Sequence, residues 1–162
     1  MRFFPEPDRL LASYDMRVLG LDLGEKRIGL AISDEGAGIA FPAGFLERKG
    51  RRRDFAALRA LVREREIGSA VVGWPLHMSG RRGPEAEAAE RFAEELSAAL
   101  KIPVELLDER WTSVAAERAM QETGRRVKQR KGRGEVDAIA ATLLLSTYLE
   151  RRRRADAQEH AE

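Results

Sequence analysis

Three acidic positions stand where carboxylates could do chemistry. Asp22 lies inside the apolar stretch Arg17 to Leu23 (RVLGLDL), Asp108 and Glu109 follow the apolar stretch Pro103 to Leu107, and Asp137 lies beside Val136 at the head of a third. Strand alternation in the first stretch puts Val18, Gly20, Asp22 and Gly24 on one face and Leu19, Leu21 and Leu23 on the other, so Asp22 is half buried. Burying an unpaired carboxylate costs several kcal/mol, so a cation, an arginine or a metal should accompany it. Each acid also has a plainer reading: Asp22 caps a turn or pairs with Lys26 or Arg27, and the others favour the dipole of a following helix. Taken together, oxygen ligands from three separate elements suit Mg²⁺ or Mn²⁺. Two such ions about 4 Å apart can activate a water and stabilise the leaving oxygen of a phosphodiester.

The basic residues point to a partner for that chemistry. The chain of 162 residues carries 29 Lys+Arg against 27 Asp+Glu, a net charge of only +2, yet 24 of the basic residues are arginine. Arginine presents a planar fork that matches phosphate in bidentate fashion. Arg51 to Arg53 form one cluster, Arg125 to Arg133 hold six basic residues and no acid, and Arg151 to Arg154 form a run of four. One such cluster reads as a solvated face or a helix end; three indicate a polyanion. The candidate phosphate contacts are Lys26, Arg27, Arg81, Arg82, Arg110, Arg125, Arg126, Lys128, Arg130, Lys131 and Arg133. Absence of cysteine excludes disulfides, thiolate nucleophiles, Fe–S clusters and Cys-based zinc sites. No apolar run reaches membrane-span length, and the N-terminus has Pro and acids where a signal peptide needs an apolar stretch, so the expected location is the cytoplasm.

The elements that must position these groups follow from periodicity. Residues 1–15 read as an irregular extension, and 154–162 as a disordered acidic tail, leaving one domain over 16–153. Arg17 to Leu23 and Ile28 to Ser33 form a hairpin across Gly24 to Arg27, and a third strand runs near Ile39 to Leu46. Phe55, Leu58, Leu61 and Val62 define a helix over 51–66, ended by Gly68. Ala70 to Trp74 is a strand buried on both faces, and Pro84 opens a helix striped by Phe92, Leu96 and Leu100. Pro103 to Leu107 is the next strand, and Thr112 or Ser113 caps a helix to about Thr123. A last helix from Gly134 to about Arg153 buries Val136, Ile139, Ala140, Leu143 and Thr147. The sum is an α/β fold: a mixed five-stranded sheet, antiparallel meander then parallel strands, flanked by helices. Ligands in such sheets bind at the carboxyl ends of strands, where strand order reverses. Trp74 and Trp111 read as base-stacking residues or core plugs, and His77 as a solvent-facing loop residue.

Gly20-Leu21-Asp22-Leu23-Gly24 with Ile28-Gly29, Val72 to Met78, Asp108 to Ser113, and Lys131-Gly132 with Val136-Asp137-Ala138 together resemble the YqgF/RuvX family of RNase H-like nucleases. The resemblance spans about Arg17 to Arg151 and implies an RNase H-like fold, a homodimer in several members, and metal-dependent cleavage of four-way DNA junctions or of the 5′ end of precursor small-subunit ribosomal RNA. It carries the catalytic, metal-holding triad onto Asp22, Glu109 and Asp137, with Asp108 in support. Trp74 and Ser79 depart from the family pattern. Two other readings compete: a non-catalytic RNA- or ribosome-binding module on the same fold, and an actin-like nucleotide-binding protein. The second needs two lobes, and this chain has the length of one.

Overall fold

The computed structural model describes residues 2–4, 16–112 and 133–161. Its strands are β1 (Arg2–Phe4), β2 (Arg17–Leu23), β3 (Arg27–Ser33), β4 (Ala40–Glu47), β5 (Ile67–Trp74) and β6 (Val104–Asp108). The helices are α1 (Arg51–Glu64), α2 (Pro84–Leu100) and α3 (Arg133–His160), with a 3-10 turn at Glu109–Trp111. The sheet order is β1-β6-β5-β2-β3-β4. β2, β5 and β6 run parallel, while β3 and β4 continue antiparallel from β2. These are the five strands expected from the sequence.

A sixth strand adds to them: Arg2–Phe4 pairs antiparallel with the outer edge of β6. The first residues are therefore not wholly irregular, because β6 would otherwise leave a row of unpaired backbone groups and Phe3-Phe4 suits a strand. At the other end, α3 runs on to His160, so residues 154–160 are helical rather than a disordered tail. That stretch has no Gly or Pro to stop the helix. The expected helix over 112–123 falls mostly outside the described residues.

Two apolar layers hold the sheet. α1 and α2 cover Leu19, Leu21, Ile28, Val72 and Leu106 with Phe55, Leu58, Phe92 and Leu96. On the opposite face α3 covers Val18, Ala31, Val71 and Leu107 with Ala141, Leu144, Leu145, Tyr148 and Leu149. The buried stripe of α3 is thus displaced from the expected one: Val136, Ile139, Ala140, Leu143 and Thr147 remain half-buried. The small residues of the sheet decide this rotation. A Cβ on Gly20 would lie 2.9 Å from Leu145 Cβ, and one on Gly29 would overlap the carbonyl oxygen of Asp137. Space at Gly20 and Gly29 is filled by α3 itself. Gly29→Ala should therefore push the first turn of α3 off the sheet and destabilise the protein by about 2 kcal/mol, measured by urea denaturation, since overpacked sites cost roughly 1–3.

Candidate active site

Strand register explains how the acids meet. The parallel strands β2, β5 and β6 end on one edge of the sheet, so Asp22, Trp74 and Asp108 are delivered together. Asp22 is paired directly with Gly29 of β3. Over Gly29 lies the backbone of Asp137, and over Gly73 of β5 lies the side chain of Glu109, where a Cβ would overlap Oε1. Asp22 is thus flanked by two strands that each carry a glycine, and each glycine makes room for one of the other two acids. Neither gap is visible from local spacing, because it exists only once three strands are in register.

The electrostatics agree with this arrangement. Burial, and then the charge of Asp137, pushes the Asp22 carboxyl up to about 6. Burial, followed by the charges of Asp22 and Asp108, pushes Glu109 up to about 7. Asp137 is also raised by burial, against the pull of Arg27. Among the described residues, the carboxyls of Asp22 and Glu109 have no hydrogen-bond donor and no cationic partner. Asp137 has one, Arg27 Nη1 at 4.0 Å from Oδ2, and that guanidinium also lies 5.7 Å from the Phe45 ring.

Asp108 differs from its neighbour. It is 4% exposed, it accepts from the Arg110 backbone N–H at 2.9 Å, and the Arg110 guanidinium holds it at 2.6 Å. Burial raises its pKa, but the hydrogen bonds and charge of Arg110 outweigh burial and hold it below the usual carboxylate range. Its oxygens are taken. Arg110 also donates to the Met78 carbonyl, which ties the 76–83 loop to the end of β6. Removing the guanidinium leaves Asp108 buried without it, so Arg110→Gln should lower the midpoint of a denaturant titration.

The expected phosphate contacts divide into three groups. Lys26 is exposed in the β2–β3 turn, and Arg27 is half-buried against Asp137. Arg82 and Arg110 also hold protein carboxylates: Arg82, itself exposed, pairs at 2.7 Å with Glu90, whose side chain is 8% exposed. Arg81 is exposed beside His77, which is itself exposed. Arg125, Arg126, Lys128, Arg130 and Lys131 lie outside the described residues, while Arg133 opens α3.

A cavity of about 500 Å³ opens beside Asp22 and Glu109, and its far wall holds Arg48, Arg51 and Arg91. Sequence reading named only Arg51 of these. Glu85, Ala88 and Arg91 recur at helical spacing, which is the signal that one face of α2 borders this space. Arg48 donates to the Gly24 carbonyl at 2.7 Å, and Arg51 pairs with Glu95 at 2.7 Å.

No group of three or more potential ligands stands assembled as a metal centre among the described residues. The donor chemistry nevertheless fits a hard cation. Two carboxyls held half-buried at one strand edge, both raised by burial and by neighbouring acids and neither paired among the described residues, lack only positive charge. Asp137 stands next to them with its charge turned to Arg27.

The sheet and its acidic edge define an RNase H-like fold of the resolvase type. The RuvC of T. thermophilus in complex with a Holliday junction substrate superposes with a TM-score of 0.54 at 16% identity, over 85% of this chain and 95% of that one. The fowlpox virus Holliday junction resolvase does so at 0.50 and 16%, over 83% and 99%. Within that class the chain belongs to the family described as RuvX, Holliday junction resolvase, whose model matches residues 16–151. A Chloroflexus aurantiacus protein named as a proposed pre-16S rRNA nuclease is 45% identical over 146 residues, 90% of this chain and 94% of its own. An Anaeromyxobacter dehalogenans protein of the same name is 47% identical over 137 residues, 85% of this chain and 98% of its own.

Proposed function

We propose that this protein is a divalent-metal-dependent endonuclease that hydrolyses phosphodiester bonds in structured nucleic acid, either four-way DNA junctions or the 5′ end of precursor 16S rRNA. The observation that carries the reading is the unpaired carboxyl couple Asp22 and Glu109, raised to about 6 and about 7 by burial and neighbouring acids. Family membership supports it. Asp22 and Glu109 would be the principal ligands for Mg²⁺ or Mn²⁺, with Asp137, which lies beside Arg27, as the third. Asp108 positions Arg110 rather than the ion. A divalent cation in this site supplies Lewis acidity at a phosphoryl oxygen and makes water a better nucleophile.

The remaining work falls to the chain's own side chains. Lys26 and Arg27 next to the acids and Arg48 and Arg91 across the cavity neutralise phosphates, and the basic stretch 125–133 supplies further cations. Counterion release makes such binding steeply salt-dependent. No helix among the described residues is long and apolar enough to cross a membrane, which suits a cytoplasmic enzyme. A homodimer would place two such sites about a two-fold, matching the symmetry of a junction; a single site suffices for an RNA end.

The test incubates the full chain with a four-way junction, a linear duplex and a precursor rRNA fragment, in Mg²⁺ or Mn²⁺ and again with chelator. Cleavage of the junction or the rRNA, abolished by chelation, is the expected result. Tight binding with no cleavage under any condition would replace this reading with the non-catalytic RNA-binding module.

A further inference from the structure

The feature left unused by the nuclease reading is an aromatic and basic platform beside the acids. Trp111 closes the 3-10 turn that starts at Glu109, and at 43% exposure it is no core plug. The Arg151 guanidinium lies 3.3 Å from its ring centroid. Among the described residues Arg151 has no carboxylate partner, unlike Arg154, which pairs with Glu150 at 2.6 Å. These side chains line a concavity of about 630 Å³ together with Thr147 and Gln158.

We propose that Trp111 and Arg151 form a stacking site for an unpaired nucleobase of the bound nucleic acid, with Arg151 and Arg154 meeting the adjoining phosphate. The inference rests on the nucleic-acid reading above and deepens it by naming the substrate feature that this side of the site selects. An indole and a guanidinium both offer flat faces to a base, and such stacking tolerates any base identity. Bases inside a duplex are already stacked and paired, so only an unpaired one can reach the ring. The location fits a strand leaving the reaction centre. Trp111 is two residues from Glu109, while Arg151 is 14 residues beyond Asp137 on α3, about 21 Å along the helix at 1.5 Å per residue. The platform therefore joins the turn that carries Glu109 to the distal part of the helix that carries Asp137. It also gives a purpose to the basic run Arg151 to Arg154, which a helix-end dipole alone would not place against an exposed tryptophan.

The experiment is done in chelator, so that binding is read without cleavage. The full chain is titrated with oligo-dT, oligo-U and a blunt duplex of equal length, following tryptophan fluorescence in a Trp74→Phe background. Single strands of either sugar should quench Trp111, and the duplex should not. Trp111→Leu should weaken single-strand binding about tenfold and leave duplex binding within about twofold, whereas Trp111→Phe should retain most of it. Arg151→Gln should lower the salt slope by about 0.7 per lost phosphate contact on a single strand. Unquenched fluorescence, with Trp111→Leu binding single strands as well as its parent, would overturn the platform even if the enzyme cuts. Quenching by a wild-type protein that never cuts would instead keep the platform and remove the nuclease reading.

Discussion

Asp22→Asn should lower metal-dependent cleavage by about a thousandfold or more, while the variant melts no earlier than its parent and binds nucleic acid as before. The loss corresponds to about 4 kcal/mol of transition-state stabilisation, the scale expected when a ligand of the catalytic cation is removed. The unchanged or higher melting temperature has a separate cause. A carboxyl lifted from 3.8 to about 6 has its ionised form disfavoured by about 3 kcal/mol. Asparagine keeps the shape and removes that cost. Steady-state cleavage rates and thermal melting of the same preparation check both halves; an active Asp22→Asn, or one that is inactive because it is unfolded, contradicts the assignment. Glu109→Gln should behave in the same way.

The second large effect is a dependence of stability on pH that the metal reverses. Asp22 and Glu109 have folded pKa values above their ordinary ones, so the stability they contribute is complete below about pH 4 and is lost as pH rises through about 6 and about 7. Asp108 and Asp34, held low by their hydrogen bonds, act oppositely: their stability is present above the ordinary carboxylate value and is lost in acid. Between pH 4.5 and 7.5 the first pair dominates. Metal-free protein should therefore lose several kcal/mol across that window, and the double variant Asp22→Asn, Glu109→Gln should lose much less. Saturating Mn²⁺ at pH 7.5 should restore the parent, by about 2.7 kcal/mol at 100 times its dissociation constant, and should leave the double variant unmoved. Cleavage should rise with pH over the same interval, because the cation binds the ionised carboxyls in competition with protons.

Much of this site was legible in the sequence because it rests on local pattern. Alternation in RVLGLDL marks Asp22 as half-buried, the apolar stretch before Asp108 and Glu109 ends where a parallel strand should end, and Asp137 follows the basic segment at a helix start. The choice between the two adjacent acids is a matter of facing: Leu107 packs under α3, the side on which Glu109 lies against Gly73, while Asp108 is taken by Arg110. What could not be read depends on long-range register. Gly29 and Gly73 matter because they flank Asp22 on neighbouring strands, and no spacing along the chain reveals that. The rotation of α3 follows from Gly20 accepting Leu145, a contact between residues far apart in sequence. Arg82 and Arg110 show the same limit for charge. Their type suits phosphate, but Glu90 and Asp108 lie within reach only in the folded chain.

The central claim is that Asp22 and Glu109 are held unpaired in order to receive a divalent cation. Calorimetric titration of the metal-free protein with Mn²⁺ at pH 7.5 tests it most directly, performed in two buffers of different ionisation enthalpy to count protons. Wild-type protein should bind Mn²⁺ and release protons from the partly protonated Glu109, and Asp22→Asn and Glu109→Gln should each weaken binding at least about tenfold. Equal Mn²⁺ affinity in the wild type and both variants would contradict the account.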